Sequence, residues 1–328
     1  MAKPLPADHL LRNRYRLRKV IGHGGMGAIY LAEDERLTGR LCALKEIEHD
    51  PSLPRATTKE AHEQFYREAS VLARLDHPNL PKVSDFFSTN GRDYLVMDYV
   101  AGKDLRELMN EARAQNTTLP LEQVLGWFSQ LLDALQYMHN QDPPIVHRDI
   151  KPSNIKVTPI GVVKLVDFGL VKLLVPDEMT ITVVQGRGTA LYTPLEQYGA
   201  DTGHTDTRSD IYSLSATLYH LLTNSPPAEA KQRFLSPDAL VPPRRLNPDI
   251  PASVEHALLW GMALHPDDRP ANIDAFREAL FLGAEIPASR SNDRSWEFPN
   301  QGLQAWDGAL LGAIGLLLLL AIFRALLP

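Results

Sequence analysis

Hydrophobic and polar positions divide the chain into two regimes. Residues 15–48 alternate apolar and polar character around a glycine cluster, the pattern of paired strands. Residues 58–75 instead place Phe65, Ala69, Leu72 and Leu75 at helical spacing. His77-Pro78-Asn79 ends that helix, because Pro78 lacks an amide proton and disfavours helix before it. Two further strands are predicted near 82–88 and 93–99, joined by a turn at Asn90-Gly91. After Gly102 helical periodicity takes over at 104–114, 121–141, 207–223, 253–264 and 272–282, interrupted by short strands near 155–166. A strand-rich first quarter and a helix-rich remainder predict an α+β fold of two lobes, not a βαβ repeat.

The last forty-odd positions change character twice. Residues 284–307 are polar, aperiodic and contain Pro and Ser, as a linker does. From Gly308 to Phe323 no charge occurs. Such a run spans about 24 Å as a helix, against a hydrocarbon core of roughly 30 Å. Snorkelling of Arg324, with Leu326 and Leu327, extends it, and Trp306 falls at the near interface. A single C-terminal transmembrane helix is expected; the alternative is a helix docked on the folded domain.

Composition narrows the function classes. The chain has 328 residues, 44% hydrophobic and 23% charged, an ordinary globular balance. Lys plus Arg is 34 and Asp plus Glu is 40, so the net charge is -6. That excludes a protein built to grip nucleic acid through a strongly basic surface, and no nucleic-acid partner is expected. Cys42 is the single cysteine, so no intrachain disulfide forms and a reducing compartment suffices. The N-terminus lacks the roughly 7–15 residue apolar core of a secretory signal.

Three constellations could carry chemistry. Gly22-His23-Gly24-Gly25-Met26-Gly27-Ala28-Ile29 would let backbone amides approach phosphate oxygens without interference from Cβ atoms, although a ligand-free hairpin turn fits it equally well. No Gly-Lys-Ser/Thr follows, and AIYLAED reads as strand, so neither the P-loop nor the dinucleotide fingerprint applies. Cys42-Ala43-Leu44-Lys45 then ends an apolar run in a lysine, by itself an ordinary surface arrangement; Glu68 on the following helix is a candidate partner. The third reads His147-Arg148-Asp149-Ile150-Lys151-Pro152-Ser153-Asn154, followed by Asp167-Phe168-Gly169.

In this order and spacing the three resemble the eukaryotic-type Ser/Thr protein kinases, nearest to the bacterial membrane-anchored ones through the GGMG loop and the GTALYTPLEQYG segment. The resemblance runs from about Tyr15 to Leu282. It implies a protein kinase-like fold with a small β-rich N-lobe (about 15–100) and a larger helical C-lobe (about 101–282). An extension, 1–14, precedes it; a juxtamembrane linker, 283–307, and a transmembrane helix, 308–327, follow. The implied activity is transfer of the γ-phosphoryl group of ATP to protein Ser/Thr hydroxyls, with Mg²⁺ as cofactor and Mn²⁺ as a substitute.

Residue by residue, the resemblance implies a nucleotide site from Ile21, Gly22, His23, Gly24, Gly25, Met26, Gly27, Ala28 and Ile29 over the phosphates, with Ala43 in the same pocket. Lys45 would bind phosphate and pair with Glu68. Main chain around Asp98 and Val100 would meet adenine behind Met97, and Asp104 would contact ribose, unless it is simply a helix N-cap. Asp149 would orient the substrate hydroxyl, Lys151 would offset charge on the transferred group, and Asn154 and Asp167 would hold the metal. Arg148, Thr189, Glu196, Asp210 and Arg269 take structural roles, with Glu196 and Arg269 as a buried pair.

Two positions depart from the family pattern. Pro194-Leu195-Glu196 stands where Ala/Ser-Pro-Glu is usual, and Lys156 stands where an apolar floor lies under adenine. The lysine head is expected to snorkel to solvent, or a strand shift to expose it. Thr180 and Thr182 are the expected activation-loop phosphosites, with Arg148 as their phosphate partner. Gly308 and Gly312 form a Gly-x-x-x-Gly pair that would serve a homodimer within the bilayer. The expected location is a cell membrane, crossed once, with the kinase domain in the cytoplasm where ATP is. Rival readings are a pseudokinase scaffold at the membrane and a small-molecule phosphotransferase of kinase-like fold.

Overall fold

The computed structural model describes residues 4–24, 27–48, 55–167, 189–198 and 205–284. The candidate transmembrane helix, its glycine pair, Gly25, Met26, Thr180 and Thr182 lie outside them. Among the described residues no helix is long and apolar enough to cross a membrane.

The first lobe is a six-stranded antiparallel sheet built from β1 (Leu10–Leu11), β2 (Tyr15–Gly24), β3 (Gly27–Asp34), β4 (Leu41–Glu48), β5 (Val83–Thr89) and β6 (Arg92–Asp98), with a helix, α1 (Arg55–Leu72), inserted after β4. The spatial order is β1-β2-β3-β4-β6-β5. Strand β3 alternates half-buried and buried positions along its whole length, so it has one covered face. Strand β4 is buried at Cys42, Ala43, Leu44, Glu46 and Ile47, because both its faces are covered. On one face Phe65, Ala69 and Leu72 of α1 join Ala43, Ile47, Leu95 and Met97. On the other, Tyr15, Tyr30, Cys42, Leu44, Phe87 and Tyr94 form a separate cluster, against which Leu5 packs. Asn90 and Gly91 both take positive φ, 52° and 74°, as a two-residue hairpin turn between right-twisted strands requires.

After Asp98 the chain enters the helical lobe through a short strand, β7 (Lys103–Asp104). There follow α2 (Leu105–Ala114), α3 (Leu121–His139), β8 (Ile155–Val157), β9 (Val163–Leu165) and α4 (Thr207–Thr223). Beyond these lie α5 (Ala230–Leu235), α6 (Pro243–Leu246), α7 (Ala252–Gly261) and α8 (Ile273–Arg277), which runs into a wider turn at Glu278–Leu282. Helix α3 turns Phe128, Leu131, Leu132 and Leu135 inward. Helix α4 is buried from Ser209 to Thr223, although it is rich in hydroxyls. Those hydroxyls are satisfied by the preceding turn: Ser213 donates to the Ser209 carbonyl, Ser215 to Ile211, Thr217 to Ser213 and Thr223 to Tyr219.

Sequence periodicity located the main elements within a few residues. It passed over β1, β7, α5 and α6, which have two to six residues each and are too short to show a period.

Candidate active site

The site is assembled from segments that enter the space between the two lobes. Strand register sets the first side chain: Lys45 lies opposite Ile29 on β3 and Leu95 on β6. Its ammonium is hydrogen-bonded and ion-paired with Asp167, just beyond β9. Burial pushes the Asp167 carboxyl up, but the Lys45 charge overrides it and holds the group below its ordinary value. Glu68 lies buried on α1, with Oε1 accepting from the Gln64 amide at 2.9 Å. Asp167 is thus one long-range partner of Lys45.

The segment from His147 to Asn154 is held from below by α4. Asp210, fully buried, accepts from the backbone N–H groups of His147 and Arg148, each at 2.8 Å. Its Oδ2 also lies 2.9 Å from His139 Nε2. Burial raises the Asp210 carboxyl, and the hydrogen bond and charge of His139 more than reverse that. The brace lets Arg148 keep a φ of 65°, unusual for a side chain of that size. Among the described residues Arg148 Nε and Nη1 are buried without a hydrogen-bond partner, and burial depresses the guanidinium pKa.

Asp149 is the hub. Its carboxylate accepts from Lys151 Nζ at 2.9 and 2.8 Å and from Asn154 Nδ2 at 2.9 Å. Asn154 Nδ2 also donates to the Asp149 carbonyl at 2.8 Å, so the amide oxygen is turned away from Asp149. Lys151 Nζ reaches the Thr189 hydroxyl as well, at 3.1 Å. One ammonium therefore ties the segment of Asp149 to the segment that ends at Glu196.

Gly27 and Gly102 are needed for close backbone approach. At Gly27, φ is +150° and a Cβ would fall 2.3 Å from the Glu46 carbonyl oxygen, so a side chain would push β3 away from β4. At Gly102, φ is +116° and a Cβ would fall 2.0 Å from the Val157 carbonyl oxygen. That contact brings the connection between the lobes onto β8, where Asp104 pairs with Lys156. Lys156 is half-buried, and its head, at the exposed end of the side chain, donates to the Gly102 carbonyl at 2.9 Å. The β7–β8 pairing puts that carbonyl within its reach. Asp104 caps α2, accepting from Glu107 N at 2.8 Å while its own N–H donates to Glu107 Oε2 at 2.7 Å. Val100 is buried, and Asp98 forms an ion pair with Arg40 at 3.1 Å while its N–H donates to the Lys82 carbonyl at 2.9 Å.

Glu196 and Arg269 meet as expected, in a bidentate pair of 2.6 and 3.0 Å. Pro194 is extended and Leu195–Gln197 form one tight turn, so the departure at Pro194-Leu195 leaves Glu196 in place. Sequence reasoning missed His139, Ser209, which donates to Glu196 at 2.7 Å, and the Tyr192–His220 pair, 2.7 Å apart. Nothing in their local sequence marks these side chains.

A metal is tested by the donor set. Asn154 contributes an amide oxygen and Asp167 a carboxylate, hard donors that suit Mg²⁺ and leave most of its coordination to waters and phosphate. Among the described residues no cluster of three or more His, Cys, Asp or Glu side chains could hold a metal unaided.

Residues 15–240 match the family described as the protein kinase domain, so the chain belongs to that family. It is 37% identical over 295 residues to a probable serine/threonine-protein kinase of Streptomyces coelicolor, covering 85% of this chain and 42% of that one. It is 34% identical to the serine/threonine-protein kinase PrkC of Bacillus subtilis, covering 87% and 42%, and 32% identical to the tyrosine-protein kinase MasK of Myxococcus xanthus, covering 84% and 44%. The chain thus spans about two fifths of the length of these curated relatives. Among solved structures, the Mycobacterium tuberculosis PknI kinase domain is similar at a TM-score of 0.65 and 27% identity, over 85% of this chain and 98% of that one. The two-lobed protein kinase fold is therefore shown.

Proposed function

We propose that this chain is a Ser/Thr protein kinase that transfers the γ-phosphoryl group of ATP to protein hydroxyls. One observation carries the reading: Lys151 bridges the Asp149 carboxylate and the Thr189 hydroxyl, so proton acceptor, cation and substrate-facing segment share one hydrogen-bond network. A substrate hydroxyl seated there would lose its proton to Asp149 as its oxygen bonds to phosphorus and the bridging P–O bond breaks. Lys151 offsets charge on the transferred group, and Lys45 binds the phosphates it leaves. Asn154 and Asp167 would hold Mg²⁺, which when bound neutralises phosphate charge. The family likeness and the intact set Lys45, Asp149, Asn154 and Asp167 favour catalysis over a pseudokinase scaffold. The test is phosphate transfer from radiolabelled ATP by the parent and by Asp149→Asn, with phosphoamino-acid analysis of the product. Transfer by the parent alone, to Ser or Thr, supports the reading. Equal transfer by both refutes it, and label on Tyr would place the chain with the activity that MasK is named for.

The domain reading keeps 15–282 as the kinase domain, 283–307 as linker and 308–327 as a membrane span that holds the kinase on the cytoplasmic side, with Gly308 and Gly312 as a dimer face. What supports it is the uncharged run from Gly308 to Phe323. Membrane fractionation of the full chain and of a chain ending at Ala284 tests it: the first should sediment with membranes and the second should not. Thr180 and Thr182 are proposed phosphosites, because the Arg148 guanidinium has buried nitrogens to offer a phosphate. Mass spectrometry of active enzyme should find them occupied.

A further inference from the structure

The exposed edge of α2 carries a charge pattern that the phosphoryl-transfer reading does not use. Arg106 and Arg113 stand seven residues apart, two helical turns, or about 10 Å along the axis. The acidic residues of the same helix are already engaged. Glu111 pairs with Lys103 at 2.7 Å, and Glu107 accepts from the Asp104 N–H. Arg106 is 62% exposed, and its ion-pair contact is with Asp104 at 3.8 Å. Among the described residues no carboxylate pairs with Arg113, which donates to the Asn224 carbonyl.

Arg113 also lines an open surface pocket of about 520 Å³ with Asn116, Thr117, Thr118 and Asn224. The wall is built as well as polar. Asn224 caps α4 with a φ of 54° and donates from Nδ2 to the Thr117 carbonyl at 3.1 Å. Its Oδ1 is buried and accepts no hydrogen bond among the described residues.

This edge connects with the active site. Thr189, which holds Lys151, accepts from the Tyr192 N–H at 3.0 Å, and Tyr192 is hydrogen-bonded to His220 at 2.7 Å. Both arginines bear on that pair. Burial lifts the Tyr192 hydroxyl to about 12, with Arg106 pulling the other way; burial lowers His220 to about 4, with Arg113 adding to it. The positive charge of Arg106 and Arg113 is thus felt at the pair that adjoins the Thr189 segment.

We propose that Arg106, Arg113 and the Asn116–Thr118 turn form a docking strip for an acidic stretch of the protein substrate, which selects substrates carrying carboxylates on one side of the phosphorylated residue. The inference rests on the kinase reading given above. An extended peptide with three residues per turn rises about 3.1 Å per residue, so side chains three apart repeat about every 9 Å on one face. That matches the two arginines. The hydroxyls and amides of the pocket suit a carboxylate.

The experiment uses the full chain and Ser/Thr peptides in three versions, with Glu, Ala or Lys at two positions three apart, scanned along both sides of the acceptor. Initial rates give kcat/KM for the parent, Arg106→Glu, Arg113→Glu and Arg113→Lys. The parent should prefer the Glu peptide over the Ala peptide in one register by about fivefold or more at low salt, mostly through KM, with the preference shrinking near 0.5 M salt. Arg113→Glu should abolish or invert the preference in favour of Lys peptides, and Arg113→Lys should keep much of it. The ratio between peptides does not depend on the fraction of folded enzyme. An equal ratio in parent and Arg113→Glu overturns the proposal, as does a parent with no acidic preference in any register. If the parent phosphorylates no peptide, the kinase reading fails instead. Fluorescence anisotropy of the labelled Glu peptide then decides the strip alone: binding lost in Arg113→Glu supports it, and no binding overturns it.

Discussion

Arg269 meets Glu196 across seventy-three residues of sequence, with guanidinium and carboxylate side chains 0% and 1% exposed. The pair is fully hydrogen-bonded. Arg269 also donates to the carbonyls of Ala263 and Leu264, at 2.8 and 2.9 Å, and stacks over Tyr212 at 5.0 Å. Removing one partner leaves a charge in the interior that no water can reach. Arg269→Ala or Glu196→Ala should therefore cost about 3–5 kcal/mol. Urea unfolding checks this; a loss under 1 kcal/mol would mean that water or another side chain replaces the partner.

Asp210 makes a different kind of prediction, because it holds two backbone N–H groups as well as the His139 ring. Asp210→Ala strands the buried N–H groups of His147 and Arg148. Each costs about 1–3 kcal/mol. The loop bearing Asp149 should then lose its geometry, so phosphate transfer should fall well beyond the loss of stability. Asp210→Asn keeps an acceptor and should retain more activity than Ala. Equal loss in both would show that the charge matters more than the hydrogen bonds.

Thr189 tests the bridge from Lys151. Thr189→Val removes the acceptor of the 3.1 Å hydrogen bond while conserving shape. Loss of about 1 kcal/mol, or fivefold in kcat/KM, is expected. Thr189→Ser should restore it. Steady-state kinetics on one peptide substrate decide, and an unaffected Val variant would detach Thr189 from the site.

His220 makes stability depend on pH. Burial holds its folded pKa at about 4, below the ordinary 6.5. As pH falls through 6.5 the unfolded imidazole takes up a proton that the folded one refuses, so stability falls with pH from 6.5 down to 4 and levels off below. The full effect of this group is about 3 kcal/mol. His220→Gln should flatten the curve in that window. His147, also buried and depressed, adds a contribution of the same sign. Urea midpoints at pH 4.5, 5.5 and 7 in parent and variant provide the measurement.

What the sequence determined by itself is whatever depends on neighbours along the chain. Helix α4 runs over Thr207–Thr223, where periodicity placed it, and Asn90-Gly91 makes the turn its backbone freedom favours. The motifs from Lys45 to Asp167 also announced themselves, since phosphate and metal chemistry restricts both residue type and spacing. The tertiary structure alone decided which side chains meet. Lys45 pairs with Asp167, one hundred and twenty-two residues away, and strand register with the entry of Asp167 between the lobes brings them together. Lys156 finds the Gly102 carbonyl because a glycine of positive φ lets two backbones approach. Arg113 faces Asn224, one hundred and eleven residues on, because α2 and the end of α4 converge at one surface. These contacts are long-range and mostly made by side chain on backbone, so no local period or spacing encodes them; packing the two lobes' cores creates them.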